Sequence, residues 1–418
     1  MTFRLDSLTA LVLFAVALLT GCQSDPLETG PRAFSPASGL RTSDAAHAWL
    51  EIDATAFEKN VRTLQALVGD KVQVCAVLKA DAYGHGLALL TPSLVALGVP
   101  YAGITSNEEA AALRTHGFKG RIMRLRAATL GEVEAALPFE VEELVGNRAV
   151  AEAMAGLARR QGRRIRYHLA LNSTGMSRNG IELRTPDGRR DALALLKLSE
   201  LHVVGVMTHF PVEDAAEMRQ GLAVFNTDVA WIVREGGLNR AALLVHAANS
   251  FATLEVPESR LDLVRVGGAL YGDTIPERTE YVRVMAFKSR VAAVNHYPAG
   301  NTVSYDRTFT LKRDSRLANL PVGYSDGYRR VFSNQGHVLI RGRRCPIVGR
   351  VTMNTIMVDV TDIPEVAAGD EAVLFGRQGD AAVTQAELEK SAGTILVDLY
   401  TVWGNSNPKI LVRPGVSH

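Results

Sequence analysis

The chain has 418 residues, 47% of them hydrophobic and 22% charged, with a formal net charge of +2. The length fits two domains or one large barrel with an appendage, and there is enough apolar material for a substantial core. The near-neutral charge without a long basic run argues against nucleic acid as a partner, and three cysteines are too few for a disulfide framework.

At the N-terminus Arg4 gives a short positive region, although Asp6 is unusual there. Residues 8–19 form an apolar run too short to span a bilayer comfortably. It ends in Leu19-Thr20-Gly21-Cys22, which resembles a bacterial lipoprotein signal with Cys22 as the lipidated residue. An ordinary secretory signal cleaved nearby is the alternative, and both export the chain. Residues 1–21 are thus expected to be a signal peptide and residues 22–45, rich in Pro, Gly, Ser and Thr, a flexible tether. Gln23 after Cys22 implies the outer membrane in that class of lipoprotein; simple cleavage would leave a soluble periplasmic protein.

From 46 to about 285, short apolar runs alternate with helical patterns. Candidate strands are 72–78, 101–105, 121–125, 142–145, 166–171, 202–208, 242–246 and 261–266. A capping box from Ser106 to Glu109 opens a helix that Gly117 closes. Eight strand-then-helix units predict a closed (β/α)8 barrel rather than an open doubly wound sheet. After Met285 helical periodicity largely disappears, and runs such as 337–340 and 355–360 between Gly and Pro turns predict a mostly β domain over 286–418.

The first barrel strand ends in the segment Val77-Leu78-Lys79-Ala80-Asp81-Ala82-Tyr83-Gly84-His85-Gly86. A lysine at an apolar strand end loses hydration, so its pKa falls and its amine becomes a nucleophile suited to a carbonyl cofactor. Other polar residues occupy equivalent strand ends, where a barrel keeps its chemistry: Arg124 and Arg126, Asn172, His209, then Asn249 with Ser250, and Arg265 with Gly267 and Gly268. The Ser250 hydroxyl and the bare Gly267-Gly268 backbone suit a phosphate. Arg265 keeps its proton, so beside a ring nitrogen it would weaken the ring as an electron sink and favour plain proton exchange; pairing with Asp262 or Asp273 is the structural alternative.

The lysine segment resembles that of the alanine racemase family, Lys-Ala-(Asp/Asn)-Ala-Tyr-Gly-His-Gly. Further matches extend over about 46–412, nearly the whole mature chain. The resemblance implies pyridoxal 5'-phosphate on Lys79, with Tyr83, Arg178, His209, Ser250, Arg265, Gly267 and Gly268 around it. Asn172-Ser173-Thr174-Gly175-Met176-Ser177-Arg178 is similar to the loop whose arginine meets the cofactor's phenolic oxygen and the substrate carboxylate. Leu171 replaces a lysine that can be carbamylated in that family. Tyr305 matches the second acid-base residue, with His209 as the neighbour expected to lower its pKa, and Met353 matches a backbone contact to the substrate carboxylate. Asn354 stands for an aspartate, and the family's C-terminal phosphate-binding tyrosine has no clear match. In that family the tyrosine crosses from a second subunit, which implies a homodimer.

Arg124-x-Arg126, Ala170-x-Asn172 and Arg178-Asn179, with the export signal, resemble the periplasmic broad-spectrum amino-acid racemases. A disulfide of that subgroup is expected to be absent, because Tyr101 stands where the partner of Cys75 would be; Cys75 is then a buried small hydrophobe. The expected activity is racemisation of free amino acids with broad specificity by a lysine and a tyrosine, with no metal. Alternatives are an alanine-specific racemase, a decarboxylase or aldolase on the same architecture, against which Arg265 argues, and a non-catalytic pyridoxal-phosphate carrier, against which Tyr305 argues.

Overall fold

The structure, a computed structural model, describes residues 42–275 and 277–414. The expected signal peptide, Cys22 and most of the expected tether lie outside the described residues. The chain divides into a unit ending at Ala45 and a unit from Ala46 onward. In the first, Thr42–Ala45 is one helical turn, so the expected tether is not irregular to its end. Every strand among the described residues belongs to the second.

The first strand of that unit is β1 (Ala48–Asp53). The barrel comes next as β2 (Gln73–Val77), β3 (Tyr101–Ile104), β4 (Arg121–Arg124), β5 (Val141–Val145), β6 (Ile165–Ala170), β7 (Leu201–Met207), β8 (Leu244–His246) and β9 (Leu263–Val266). From β2 to β8 each strand lies parallel to the next, and β9 pairs with β2. The ring closes where Asp262 N–H donates to Val245 O at 3.1 Å and Arg265 N–H to Ala248 O at 2.9 Å. All eight expected barrel strands are present. Strands covered by helices on one face and packed on the other read as apolar runs, which is why they were visible. The helix Asn107–Thr115 carries the expected capping box, with Ser106 Oγ accepting from Glu109 N–H at 3.2 Å and Glu109 Oε2 from Ser106 N–H at 3.1 Å.

The remaining strands are β10 (Met285–Arg290), β11 (Ala293–Tyr297), β12 (Ser315–Leu320), β13 (His337–Ile340), β14 (Arg343–Pro346), β15 (Ile356–Asp359), β16 (Glu371–Gln378), β17 (Ala381–Val383) and β18 (Lys409–Val412). They form one sheet in the order β14-β13-β16-β10-β1-β18, with β17 on β16, and a second, β11-β12-β15. Here the expected division at 285 needs correction. β1 lies antiparallel to β10 and parallel to β18, so the start of the expected barrel segment belongs to the C-terminal sheet. Its partners lie more than two hundred residues away, so no local turn chemistry announces the pairing.

Two helices, Gln385–Ala392 and Leu396–Ser406, also interrupt the β domain. Leu396, Leu399, Tyr400 and Trp403 are buried at helical spacing, a pattern legible in the sequence but not read from it. This helix meets the turn after β2 backbone to backbone: a Cβ on Gly404 would lie 2.3 Å from Gly84 Cα.

Candidate active site

β2 ends at Val77, and the chain then makes a left-handed turn. Ala80, Asp81, Ala82 and Tyr83 all have φ between 53° and 57°. Such backbone costs about 1–2 kcal/mol per non-glycine residue, so neighbours must hold it. Asp81 does much of this: its carboxylate accepts from Leu87 N–H at 2.7 Å and pairs with Lys409 at 2.9 Å. Glu109 accepts from Asp81 N–H at 3.3 Å. The turn places Lys79 on a cavity of about 420 Å³ at the carboxyl ends of the strands, its amine 5.8 Å from the Tyr83 ring centre.

That cavity brings together Lys79, Tyr83, Arg178, His209, Ser250, Arg265, Gly267 and Gly268, the expected cofactor set from the barrel. Burial pushes the Lys79 pKa below its ordinary value, and the Arg178 charge adds to the fall. Burial, then the charges of Arg265, Arg178 and Lys79, drives His209 down to about 3, so it is a neutral imidazole. Arg265 pairs with neither Asp262 nor Asp273. Its Nη1 donates to His246 Nδ1 at 2.6 Å, and Nη2 donates to Thr208 O at 2.8 Å and Ala247 O at 3.0 Å and lies 3.2 Å from His209 Nδ1. The acceptors fix the guanidinium without a carboxylate touching it.

The same cavity is lined by Ser250 and the Gly267-Gly268 turn, a segment suited to an anion. Ser250 Oγ accepts from Gly267 N–H at 3.0 Å and Ala269 N–H at 3.2 Å. A Cβ on Gly267 would fall 2.3 Å from the Tyr83 hydroxyl, so only bare backbone fits there. A nucleophilic amine, a cradle of backbone donors with Ser250, and a fixed Arg265 in one cavity fit pyridoxal phosphate. Among the described residues no group of His, Cys, Asp and Glu is arranged to hold a metal ion.

A small side pocket adjoins this cavity, lined by Leu125, Asn172, Thr174, Arg178, Asn179 and His209 among others. Asn172 shapes the loop before Arg178: Oδ1 accepts from Ser177 N–H at 2.6 Å and Nδ2 donates to Glu182 at 2.9 Å. The Thr174 hydroxyl donates to His209 O at 2.6 Å. Arg124 and Arg126 line neither cavity, contrary to their expected place in the site. Arg124 is fully buried and donates to Glu143 at 2.7 Å and Asn107 at 2.7 Å, while Arg126 pairs with Glu132. Side chains alternate along a strand, so Leu125 between them faces the cavity instead. Cys75 is buried, the small hydrophobe expected, and it is free and packs in one cluster with Tyr101.

Tyr305 and Met353 do not face Lys79 within one chain. Tyr305 is 69% exposed and Met353 54% exposed. Tyr305 borders a separate cavity of about 510 Å³ in the β domain. Its loop is held in strained backbone, with Ser304 at φ 64° and Asp306 at φ 64°, and Asp306 pairs with Arg330 and Arg350 at 3.2 Å each. Asn354 donates to Ser325 Oγ at 2.8 Å. Five further lining residues of the main cavity, Thr274, Ile275, Gln385, Glu389 and Ile395, were not expected, because no motif marks them and two of them, Gln385 and Glu389, lie on an unexpected helix.

Residues 52–275 match the family described as alanine racemase, N-terminal domain, and 284–411 match alanine racemase, C-terminal domain. A broad specificity amino-acid racemase of Pseudomonas taetrolens is 60% identical over 372 residues, 89% of this chain and 91% of that protein. A lysine racemase of Proteus mirabilis is 46% identical, covering 96% of this chain and 98% of that protein. The crystal structure of alanine racemase from Bartonella henselae with covalently bound pyridoxal phosphate superposes with a TM-score of 0.77 at 27% identity, over 88% of this chain and 100% of that one.

Proposed function

This chain belongs to the alanine racemase family and is a pyridoxal-phosphate-dependent amino-acid racemase; from that premise we propose that it acts on free amino acids of several side-chain types, with Lys79 and Tyr305 as its two acid-base groups. The observation that carries the two-base reading is the exposure of Tyr305 and Met353 away from Lys79. Racemisation needs a proton removed on one face of the α-carbon and returned on the other, so one base cannot serve both directions. A second copy that brought Tyr305 over the mouth of the Lys79 cavity would complete the site, and a homodimer is the assembly proposed.

The bound cofactor supplies the electron sink that acidifies the α-proton. Lys79 Nζ takes that proton from one enantiomer, and Tyr305 Oη of the second copy gives one to the opposite face; the reverse reaction exchanges the roles. Lys79 suits this work because its lowered pKa keeps more of the amine neutral. Arg178 and the Met353 backbone N–H hold the substrate carboxylate. Ser250, Gly267 and Gly268 would hold the phosphate, with the Tyr83 hydroxyl close to Gly267. Arg265 would stand at the ring nitrogen and, as a permanent donor, would leave that nitrogen unprotonated.

Breadth of substrate rests on the two relatives named for broad and lysine racemisation, with Asn172 and Asn179 lining the side pocket next to Arg178. A pocket discriminates a methylene by only about 1–3 kcal/mol. Chiral chromatography of L-Ala, L-Lys and L-Arg reactions should give kcat/KM values within about a thousandfold, roughly 4 kcal/mol; a larger preference for Ala would make the enzyme alanine-specific. Export as a periplasmic outer-membrane lipoprotein through Cys22 is proposed from the apolar run and the Leu19-Thr20-Gly21-Cys22 box. Cys22→Ala should abolish incorporation of labelled fatty acid, and a cytoplasmic protein retaining Met1 would overturn it.

A further inference from the structure

A buried chain of hydrogen bonds runs from Arg265 down the inside of the barrel. Arg265 Nη1 meets His246 Nδ1 at 2.6 Å, His246 Nε2 meets His168 Nδ1 at 2.9 Å, and His168 Nε2 meets Glu142 Oε2 at 3.0 Å. Both imidazoles and Glu142 are 0% exposed. Glu142 begins near the opposite mouth of the barrel, where Arg121 donates to it at 2.5 Å and Arg166 lies at 3.3 Å. The space for this chain is built in: a Cβ on Gly205 would lie 2.3 Å from His168 Nδ1.

The two ends allow one arrangement of protons. A guanidinium only donates and an ionised carboxylate only accepts. His246 Nδ1 must therefore be bare, its proton on Nε2. His168 Nδ1 must then accept, so its proton also sits on Nε2 and points at Glu142. A proton added to either ring would set two donors against each other, at His246 or at Arg265. Burial independently disfavours the charged form of both rings. Burial alone would raise the Glu142 pKa, but the His168 hydrogen bond and the Arg121 charge outweigh it, and the carboxyl stays below its ordinary value.

We propose that Glu142, at the far end of the barrel from the reaction, is a positioning residue that sets the proton order of His168 and His246 and thereby holds Arg265 against the cofactor ring nitrogen. The inference rests on Arg265 facing that nitrogen, as proposed for the racemase. It explains why a buried arginine meets neutral acceptors and no carboxylate: a touching carboxylate would neutralise the charge that faces the ring, whereas a carboxylate two imidazoles away fixes the geometry and leaves the charge in place. The other groups facing this chain are Cys75 and Tyr101 from neighbouring strands, and His209 and Arg178 at the Arg265 end.

The test is imidazole ¹⁵N NMR of the ¹⁵N-histidine holoenzyme, with His168 and His246 assigned by substitution, beside kinetics of Glu142→Gln. The wild type should show both rings neutral and protonated on Nε2 from pH 6 to 9. Gln can donate as well as accept, so Glu142→Gln should release the order, giving mixed tautomers and a fall in kcat/KM on the order of 10- to 100-fold, the scale known for losing a carboxylate that orients a metal-bound histidine. A cationic ring or an Nδ1 proton on His246 in the wild type would overturn the proposal, whether or not the variant folds. So would a Glu142→Gln enzyme with unaltered tautomers, or with altered tautomers and full activity. The spectra need no turnover, so absence of racemisation in the wild type would strike the functional reading separately.

Discussion

Two groups in the site are driven in the same direction by the same pair of causes, burial first and then a neighbouring arginine charge. His209 is driven to neutrality by burial and by Arg265, so it accepts beside a cation instead of adding another charge. Lys79 loses hydration at the strand end and faces Arg178, and both effects disfavour the ammonium form. A lowered pKa means a larger neutral fraction at any pH below it. Competitive acylation of the apoprotein across pH 7–11, read by mass spectrometry, should therefore give Lys79 a labelling midpoint below the ordinary lysine value of about 10.4. Arg178→Met should move that midpoint part of the way back. A midpoint at or above the ordinary value would remove the physical basis for Lys79 as a base. Lys288 is the internal contrast: burial alone would lower it, but Glu51 at 2.8 Å and Glu371 at 3.1 Å outweigh that and raise it.

At the scale of elements, the left-handed turn that carries Lys79 is held from outside the barrel. Lys409 at the start of β18 pairs with Asp81, and the helix Leu396–Ser406 lays Gly404 directly on Gly84. Alanine is normally the better helix former by about 1 kcal/mol. At Gly404 a methyl group would meet backbone at 2.3 Å and has nowhere to go, whereas at Gly131, in the helix Leu130–Ala136, nothing lies within 4 Å. Gly404→Ala should thus destabilise the protein by about 1–3 kcal/mol, and Gly131→Ala should be neutral or stabilising; urea unfolding of the pair checks the sign. Two variants moving together would mean that the close approach does not constrain the turn. The same contrast between local and distant causes marks what was legible in the sequence. Barrel strands announce themselves as short, mostly apolar runs, and Lys79, Ser250 and Arg265 stand out by their places at or just after strand ends, Arg178 by the loop motif around it. The partners of β1, the positive φ at Ala80 and Ser304, and the diversion of Arg124 to Glu143 depend on neighbours distant in sequence, which no local pattern encodes.

For the molecule as a whole, the residues proposed for the site lie in two places on one copy. Lys79, with the cofactor-holding residues, lies at the barrel mouth; Tyr305, with Met353, lies exposed on the β domain. The homodimer proposed would cover Tyr305 and Met353, and a self-complementary two-fold pairing covers both copies at once. Such a pairing makes each site a composite, and a composite site can be tested without seeing the dimer. Lys79→Ala and Tyr305→Phe should each abolish racemisation as homodimers. In a mixed dimer of the two, one site has both defects and the other has neither. Equal, random mixing makes half the dimers mixed, each with one intact site of two, so activity should return to about a quarter of the wild-type level. The measurement is alanine racemisation by the two chains co-expressed with different tags, and by the isolated heterodimer, which should show about half. If both acid-base groups belonged to one chain, each mixed dimer would hold one defective site of each kind, and no activity would return.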